Sequence, residues 1–325
     1  MAAFPGGLIH RAVNDLGKPY SQDGLAANPP PGENVENRFT VAAPCQIVLA
    51  AHIIRTAMGA TILAVANQKG GVGKTTTAVN LAAALADRGR RVLLIDVDPQ
   101  ANATSGLGVD RGAVRASSYD VVVLGRPLVD ARIPTAVPGL DIVPSDVALA
   151  GSEIELVGMA RREHRLRYAL EAAGDSGDEY IFIDCPPSLG LLTVNAVVAA
   201  EALLVPIQCE FYALEGLGLL MHTLALLRRE LNPSLEIAGI VMTLFDGRLA
   251  LAHQVVDEVR TRFGDQLLTP LIPRNVRLSE APSHGLPITR YDPNSRGAIA
   301  YRELAATLDQ RLRHEAVRAS DIPPA

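Results

Sequence analysis

An apolar run of strand length at residues 62–66 leads directly into Asn67-Gln68-Lys69-Gly70-Gly71-Val72-Gly73-Lys74-Thr75-Thr76, and an Ala/Leu-rich helical pattern follows at 75–87. A strand, a glycine-rich turn and a helix in immediate succession make the frame of a phosphate-binding loop. The glycines let backbone N–H groups turn inward toward phosphate oxygens. The helix N-terminus adds a favourable dipole of about half a charge. Lys74 is placed to bridge β- and γ-phosphates, and the Thr75 hydroxyl to take a coordination place on Mg²⁺. The string departs from the common GxxxxGK[ST] pattern, because Gln68 stands at the first glycine and Lys69 adds a charge that the ordinary loop does not need.

Lysine usage points to the same loop. Among 30 basic residues only Lys18, Lys69 and Lys74 are lysines, and two of them lie five positions apart in this turn. Arginine does not replace lysine at a tight phosphate site, so their retention marks a place that requires an ammonium.

Beyond the loop, apolar strand-length runs recur at 92–96, 140–143, 180–184, 202–207 and 237–243, with helical patterns at 189–200, 214–231 and 249–263. Runs this continuous predict strands buried on both faces. The alternation predicts an α/β fold, a doubly wound, mostly parallel sheet flanked by helices. Residues 58–315 are read as this one domain. Residues 1–57 contain Pro29-Pro30-Pro31-Gly32 in a stretch rich in Pro, Gly and Asn, and are read as a disordered extension with a short helix at 45–57. Met58 is the expected true start. Residues 316–325 are read as a flexible tail.

Composition sets limits. No apolar run reaches about 18 residues and no charged-then-apolar leader opens the chain, so neither a membrane span nor export is expected. Cys45, Cys185 and Cys209 are scattered, which argues against a disulfide framework or a zinc site and for a reducing cytoplasm. A net charge of −5 confines any nucleic-acid contact to a local patch.

Two predicted strands end in carboxylates. One closes Ile95-Asp96-Val97-Asp98-Pro99, the other Ile183-Asp184-Cys185-Pro186. Strand C-termini in open α/β sheets face the ligand crevice, so these aspartates belong near the phosphates, with Asp184 holding Mg²⁺ through water.

The loop Lys-Gly-Gly-Val-Gly-Lys-Thr resembles the deviant Walker A group, which includes ParA/Soj, MinD and the nitrogenase iron protein. Resemblance to ParA/Soj continues through 96–108, 151–156, 186–193, 208–216, 272–282 and 291–297. It implies an ATPase with ATP and Mg²⁺ as cofactors. It implies nucleotide contacts by Lys69, Gly70, Gly71, Val72, Gly73, Lys74, Thr75, Thr76, Pro273 and Asn275, and a metal site of Thr75, Asp98 and Asp184. Asp98 would orient or deprotonate the attacking water, with Lys69 and Lys74 neutralising charge. Lys69 would act in trans, on the nucleotide of a second subunit. Ala101 stands where the family usually has glycine, a change expected to stiffen the loop and affect the rate of hydrolysis.

The resemblance further implies an ATP-dependent homodimer, nonspecific double-stranded DNA as a partner, and a ParB-type protein that stimulates slow hydrolysis. The expected location is the cytoplasm, on the nucleoid. Arg274, Arg277, Arg290 and Arg296 form a locally basic stretch opposed only by Glu280 and Asp292, and Arg248 follows a strand end. The resemblance places Arg248 and Arg277 in the DNA patch, and Arg274 of the basic stretch is read with them. Leu249 and Ala250 stand where relatives are often polar or basic, which weakens the patch. Three alternatives stay open: a MinD-like membrane-positioning ATPase, a cluster-bearing reductase, and an adaptor that binds ATP without turnover.

Overall fold

The computed structural model describes residues 59–320. The N-terminal extension with its 45–57 helix, the start at Met58, and residues 321–325 of the tail lie outside the described residues.

Seven strands form one sheet in the order β3-β4-β2-β5-β1-β6-β7. They are β1 (Thr61–Val65), β2 (Val92–Asp96), β3 (Ile133–Pro134), β4 (Leu140–Val143), β5 (Tyr180–Asp184), β6 (Ala202–Gln208) and β7 (Glu236–Thr243). All neighbours pair parallel except β3 with β4. The principal helices are α1 (Lys74–Ala86), α2 (Asn102–Gly106), α3 (Arg165–Ala173), α4 (Leu191–Ala199), α5 (Ala213–Glu230), α6 (Ala250–Phe263), α7 (Val276–Glu280) and α8 (Arg296–Ser320). The stretch read as a tail is thus helical as far as Ser320.

Strand alternation splits the core in two. Leu63, Val65, Leu94 and Phe182 pack with Leu81, Leu85, Tyr301, Leu304 and Leu308 of α1 and α8. Ile62, Ala64, Ile95 and Ile183 pack with Leu166, Val197, Leu220 and Val259 of α3, α4, α5 and α6. Both faces are covered, so the strands read as unbroken apolar runs. Helix α1 is buried nearly all round, and its alanines let it lie close to the sheet.

From β1 the chain moves outward through β2 to β4, returns at β5 between β2 and β1, and continues on the other side through β6 and β7. The reversal opens a crevice at the carboxyl ends of β1, β2 and β5. There Val65 stands beside Asp184, and Asp184 beside Asp96, in the strand ladder.

One close backbone approach fixes the segment after α2. Gly108 (φ +76) and Gly285 (φ +65) touch so closely that a Cβ on Gly108 would sit 2.9 Å from the Gly285 carbonyl oxygen. G108A combines a left-handed backbone with a steric clash and is expected to cost about 3 kcal/mol or more. At Gly89 (φ +83) nothing lies within 4 Å, so G89A should cost only about 1 kcal/mol. Thermal unfolding of the two variants checks the difference: equal losses would contradict the contact.

Candidate nucleotide site

The loop after β1 is pinned before any ligand arrives. Asn67, buried, donates from Nδ2 to the Pro206 carbonyl (2.7 Å), and its Oδ1 accepts from the Lys69 N–H (3.0 Å). The Thr243 hydroxyl donates to the Val72 carbonyl (2.8 Å). Gly71 (φ +75) and Gly73 (φ +84) take left-handed conformations that a side chain would resist. Helix α1 starts at Lys74 with Gly73 as its cap and no side-chain oxygen on its first N–H groups. An uncapped helix N-terminus beside inward-turned glycines is an anion cradle.

Lys74 arches over that cradle. Its Nζ donates to the Lys69 carbonyl (3.0 Å) and the residue is only 6% exposed. Burial pulls the ammonium below the ordinary lysine range, while Asp184, Cys185 and Asp98 draw it back up. Lys69 behaves differently. Its side chain is 41% exposed, and its ammonium pairs with Glu210 of the same chain, just past β6.

The carboxylates divide their work. Asp96 is buried and fully engaged: it accepts from the Thr104 N–H (2.9 Å), the Thr104 hydroxyl (2.7 Å) and the Asp98 N–H (3.1 Å). Burial raises its carboxyl to about 6 against those bonds. The Asp98 carboxylate accepts from the Gln100 N–H (2.9 Å), and its carbonyl accepts from the Ser145 hydroxyl (2.7 Å). Asp184 is wholly buried, and neither carboxylate oxygen has a hydrogen bond of good geometry. Burial first, then Asp96, push its carboxyl well above the usual range; the Thr75 hydroxyl and Lys74 act the other way.

These orphaned oxygens next to the Thr75 hydroxyl fit a hydrated Mg²⁺, which uses one or two carboxylates together with phosphate oxygens and water. Among the described residues no group of three or more His, Cys, Asp or Glu forms a closed metal cage. A cavity of about 670 Å³ opens beside the loop, lined by Gly71, Gly73, Thr75, Thr76, Pro273 and Asn275 among others. That volume suits a nucleotide-sized ligand. The cavity therefore brings Pro273 and Asn275 to the phosphate loop from almost 200 positions away.

Residues 60–237 match a family described as AAA domain. The chain is 54% identical to the chromosome partitioning protein ParA of Caulobacter vibrioides over 260 residues, 80% of this chain and 97% of that one. It is likewise 54% identical to the sporulation initiation inhibitor protein Soj of Bacillus subtilis, over 75% of this chain and 96% of that one. The chain belongs to the ParA/Soj family of P-loop ATPases. Among solved structures it resembles cobyrinic acid a,c-diamide synthase of Mycobacterium smegmatis, which holds ADP and magnesium (TM-score 0.68, 38% identity, 78% of this chain and 96% of that one). It also resembles the Pyrococcus furiosus cell division ATPase MinD (TM-score 0.61, 27% identity, 77% and 98%).

The arginines singled out for DNA in this ParA/Soj chain are arranged differently from the expectation of a basic stretch opposed by Glu280 and Asp292 alone. Arg248 makes a forked pair with Asp246 (2.9 and 2.6 Å), which holds that carboxyl well below its usual range. The Arg274 N–H donates to the Phe245 carbonyl, so Arg274 shares the same turn, and its charge also acts on Asp246. Arg277 pairs with Glu280 (2.9 Å) and Asp292 (3.4 Å), and Arg290 with Asp87 (2.5 Å). The basic stretch and Arg248 together are thus threaded by four carboxylates, Asp87, Asp246, Glu280 and Asp292. Spacing alone hid Asp87, which is 203 positions from its partner.

Sequence reasoning missed Asn67, Thr104, Ser145 and Glu210. None has a motif of its own, and each matters only through what the fold sets beside it.

Proposed function

We propose that this chain is an ATP-switched partition ATPase: with ATP and Mg²⁺ bound, two subunits close face to face and hold DNA, and hydrolysis releases them. The supporting observation is the unequal placement of two ammonium groups. Lys74 lies buried in its own cradle, while Lys69 is half-exposed and, among the described residues, pairs with Glu210 of its own chain. A triphosphate of a second subunit would replace Glu210 as the partner of this half-exposed ammonium.

In this reading the loop amides of residues 70–75 hold the phosphates and Lys74 bridges the β and γ groups. Thr75 would ligate Mg²⁺ directly and Asp184 through water, and the ion when bound supplies charge neutralisation on the leaving diphosphate. Asp98 orients a water in line with the γ-phosphorus. The water oxygen bonds to phosphorus as the bond to the bridging β–γ oxygen breaks, and the water's proton leaves toward Asp98 and solvent. Pro273 and Asn275 line the nucleoside end. Turnover is slow alone and stimulated by a ParB-type partner.

DNA contact, through Arg248, Arg274 and Arg277, is phosphate-directed and independent of sequence. Its site in the cell is the nucleoid. The membrane-positioning alternative gives way: relatives at 54% identity are named for partitioning or sporulation control, whereas MinD stands at 27%. Among the described residues no helix is long and apolar enough to cross a membrane.

Retention on nonspecific duplex DNA, compared with ATP, ADP and no nucleotide, tests the reading. Retention only with ATP, falling steeply with salt, is expected. Retention equal in all three states would overturn it.

A further inference from the structure

The loop that carries Asp98 contains a conformational conflict. Ala101, fully buried, sits in the left-handed region (φ 53°, ψ 42°) immediately before α2. An alanine resists that conformation, which glycine adopts freely. The turn is closed by the Ala101 N–H donating to the Asp98 carbonyl (2.8 Å), and the Gln100 N–H holds the Asp98 carboxylate. If Ala101 relaxes to an ordinary conformation, the peptide between Gln100 and Ala101 rotates and the Asp98 side chain loses its support.

One exposed side chain opposes that relaxation from outside. Arg111 donates from Nη2 to the Gln100 carbonyl and to the Ala101 carbonyl (2.9 Å), and from Nε to the Ser105 hydroxyl (3.0 Å). Ser105 in turn gives its own N–H and hydroxyl to the Ala101 carbonyl, both at 3.1 Å. A rigid guanidinium fork is suited to gripping successive carbonyls of a tight turn. Asp110 places it, by capping the short turn Arg111–Ala113 at the Gly112 N–H (2.9 Å).

We propose that Arg111 is a positioning residue for hydrolysis: it clamps the left-handed turn at Ala101 and so fixes Asp98 for the attacking water. This rests on the reading of Asp98 as the hydrolytic carboxylate. Arg111 touches Ser105 and the Gln100 and Ala101 carbonyls rather than the phosphate loop, so its removal should act on the rate and leave ATP binding alone. The need for the clamp comes from Ala101, so it disappears when that residue is glycine.

The test is steady-state phosphate release by the full chain in four forms, wild type, R111A, A101G and the double variant, with D98A as reference. R111A should lower kcat about tenfold, the change that 1.4 kcal/mol produces, with KM for ATP within about twofold and Tm unchanged. R111K, a point charge without the fork, should fall between. In the A101G background the same R111A change should lower kcat less than about threefold, a coupling that a double-mutant cycle isolates. Equal losses in both backgrounds, or unchanged kcat in R111A, overturn the clamp while loss of turnover in D98A leaves the role of Asp98 standing. Wild-type turnover in D98A overturns both.

Discussion

Lys74→Ala should lose nucleotide binding by about 30- to several-thousand-fold while the protein stays folded. Lys74 is the buried ammonium of the cradle, and it already spends its charge on a loop carbonyl and on the neighbouring Asp184 and Asp98. A triphosphate entering the loop takes over that charge in a site shielded from solvent. Truncating one partner of a buried, hydrogen-bonded charge pair costs about 2–5 kcal/mol, and each 1.4 kcal/mol is tenfold in affinity. The helix dipole and the loop amides remain, but a partial charge of about one half does not replace a full one. Titration with a fluorescent ATP analogue, alongside circular dichroism, checks this. Binding within threefold of wild type would remove Lys74 from the site.

Asp98→Ala should leave ATP binding within a few-fold and lower kcat by about 10²- to 10⁴-fold, the range that a positioned acid or base supplies. Asp98 reaches the crevice from the end of β2, while the neighbouring Asp96 is spent on Thr104 and its own loop. Both oxygens of Asp96 are therefore tied to fixed neighbours, which leaves it poorly placed for a substitute role. Nor should the variant be less stable before nucleotide binds, because Asp98 adds negative charge beside the buried Asp96 and Asp184. The ATP-bound state should then accumulate and stay on DNA. Single-turnover hydrolysis measures the loss directly, and turnover near wild type would overturn the assignment.

Six of the seven strands and the helices α1, α4, α5 and α6 were readable within one or two residues because both faces of the sheet are buried, so composition tracks burial, whereas α3 and the long α8 were not read. Strand β3 was not readable. It is two residues long, antiparallel, at the sheet edge, and includes Pro134. In the site, the phosphate loop and the strand-end aspartates announced themselves by local spacing, since each is contiguous in sequence.

What stayed hidden depends on distant neighbours. Glu210 meets Lys69 across 141 positions, and Ser145 meets Asp98 across 47. Ala101 was visible as a departure, but only its backbone angle says what the departure does. The pairing of Arg248 with Asp246 is a lesson of another kind. The two stand two residues apart, yet the charge of a patch cannot be judged from its arginines alone.

Hydrodynamic size with Mg²⁺ and a non-hydrolysable ATP analogue tests the shared-nucleotide dimer most directly. Wild type should run as a dimer with the analogue and as a monomer with ADP, while Lys69→Ala should bind the analogue and remain monomeric. A wild-type protein that stays monomeric with the analogue bound, or a Lys69→Ala variant that dimerises normally, would contradict an ammonium acting across the interface.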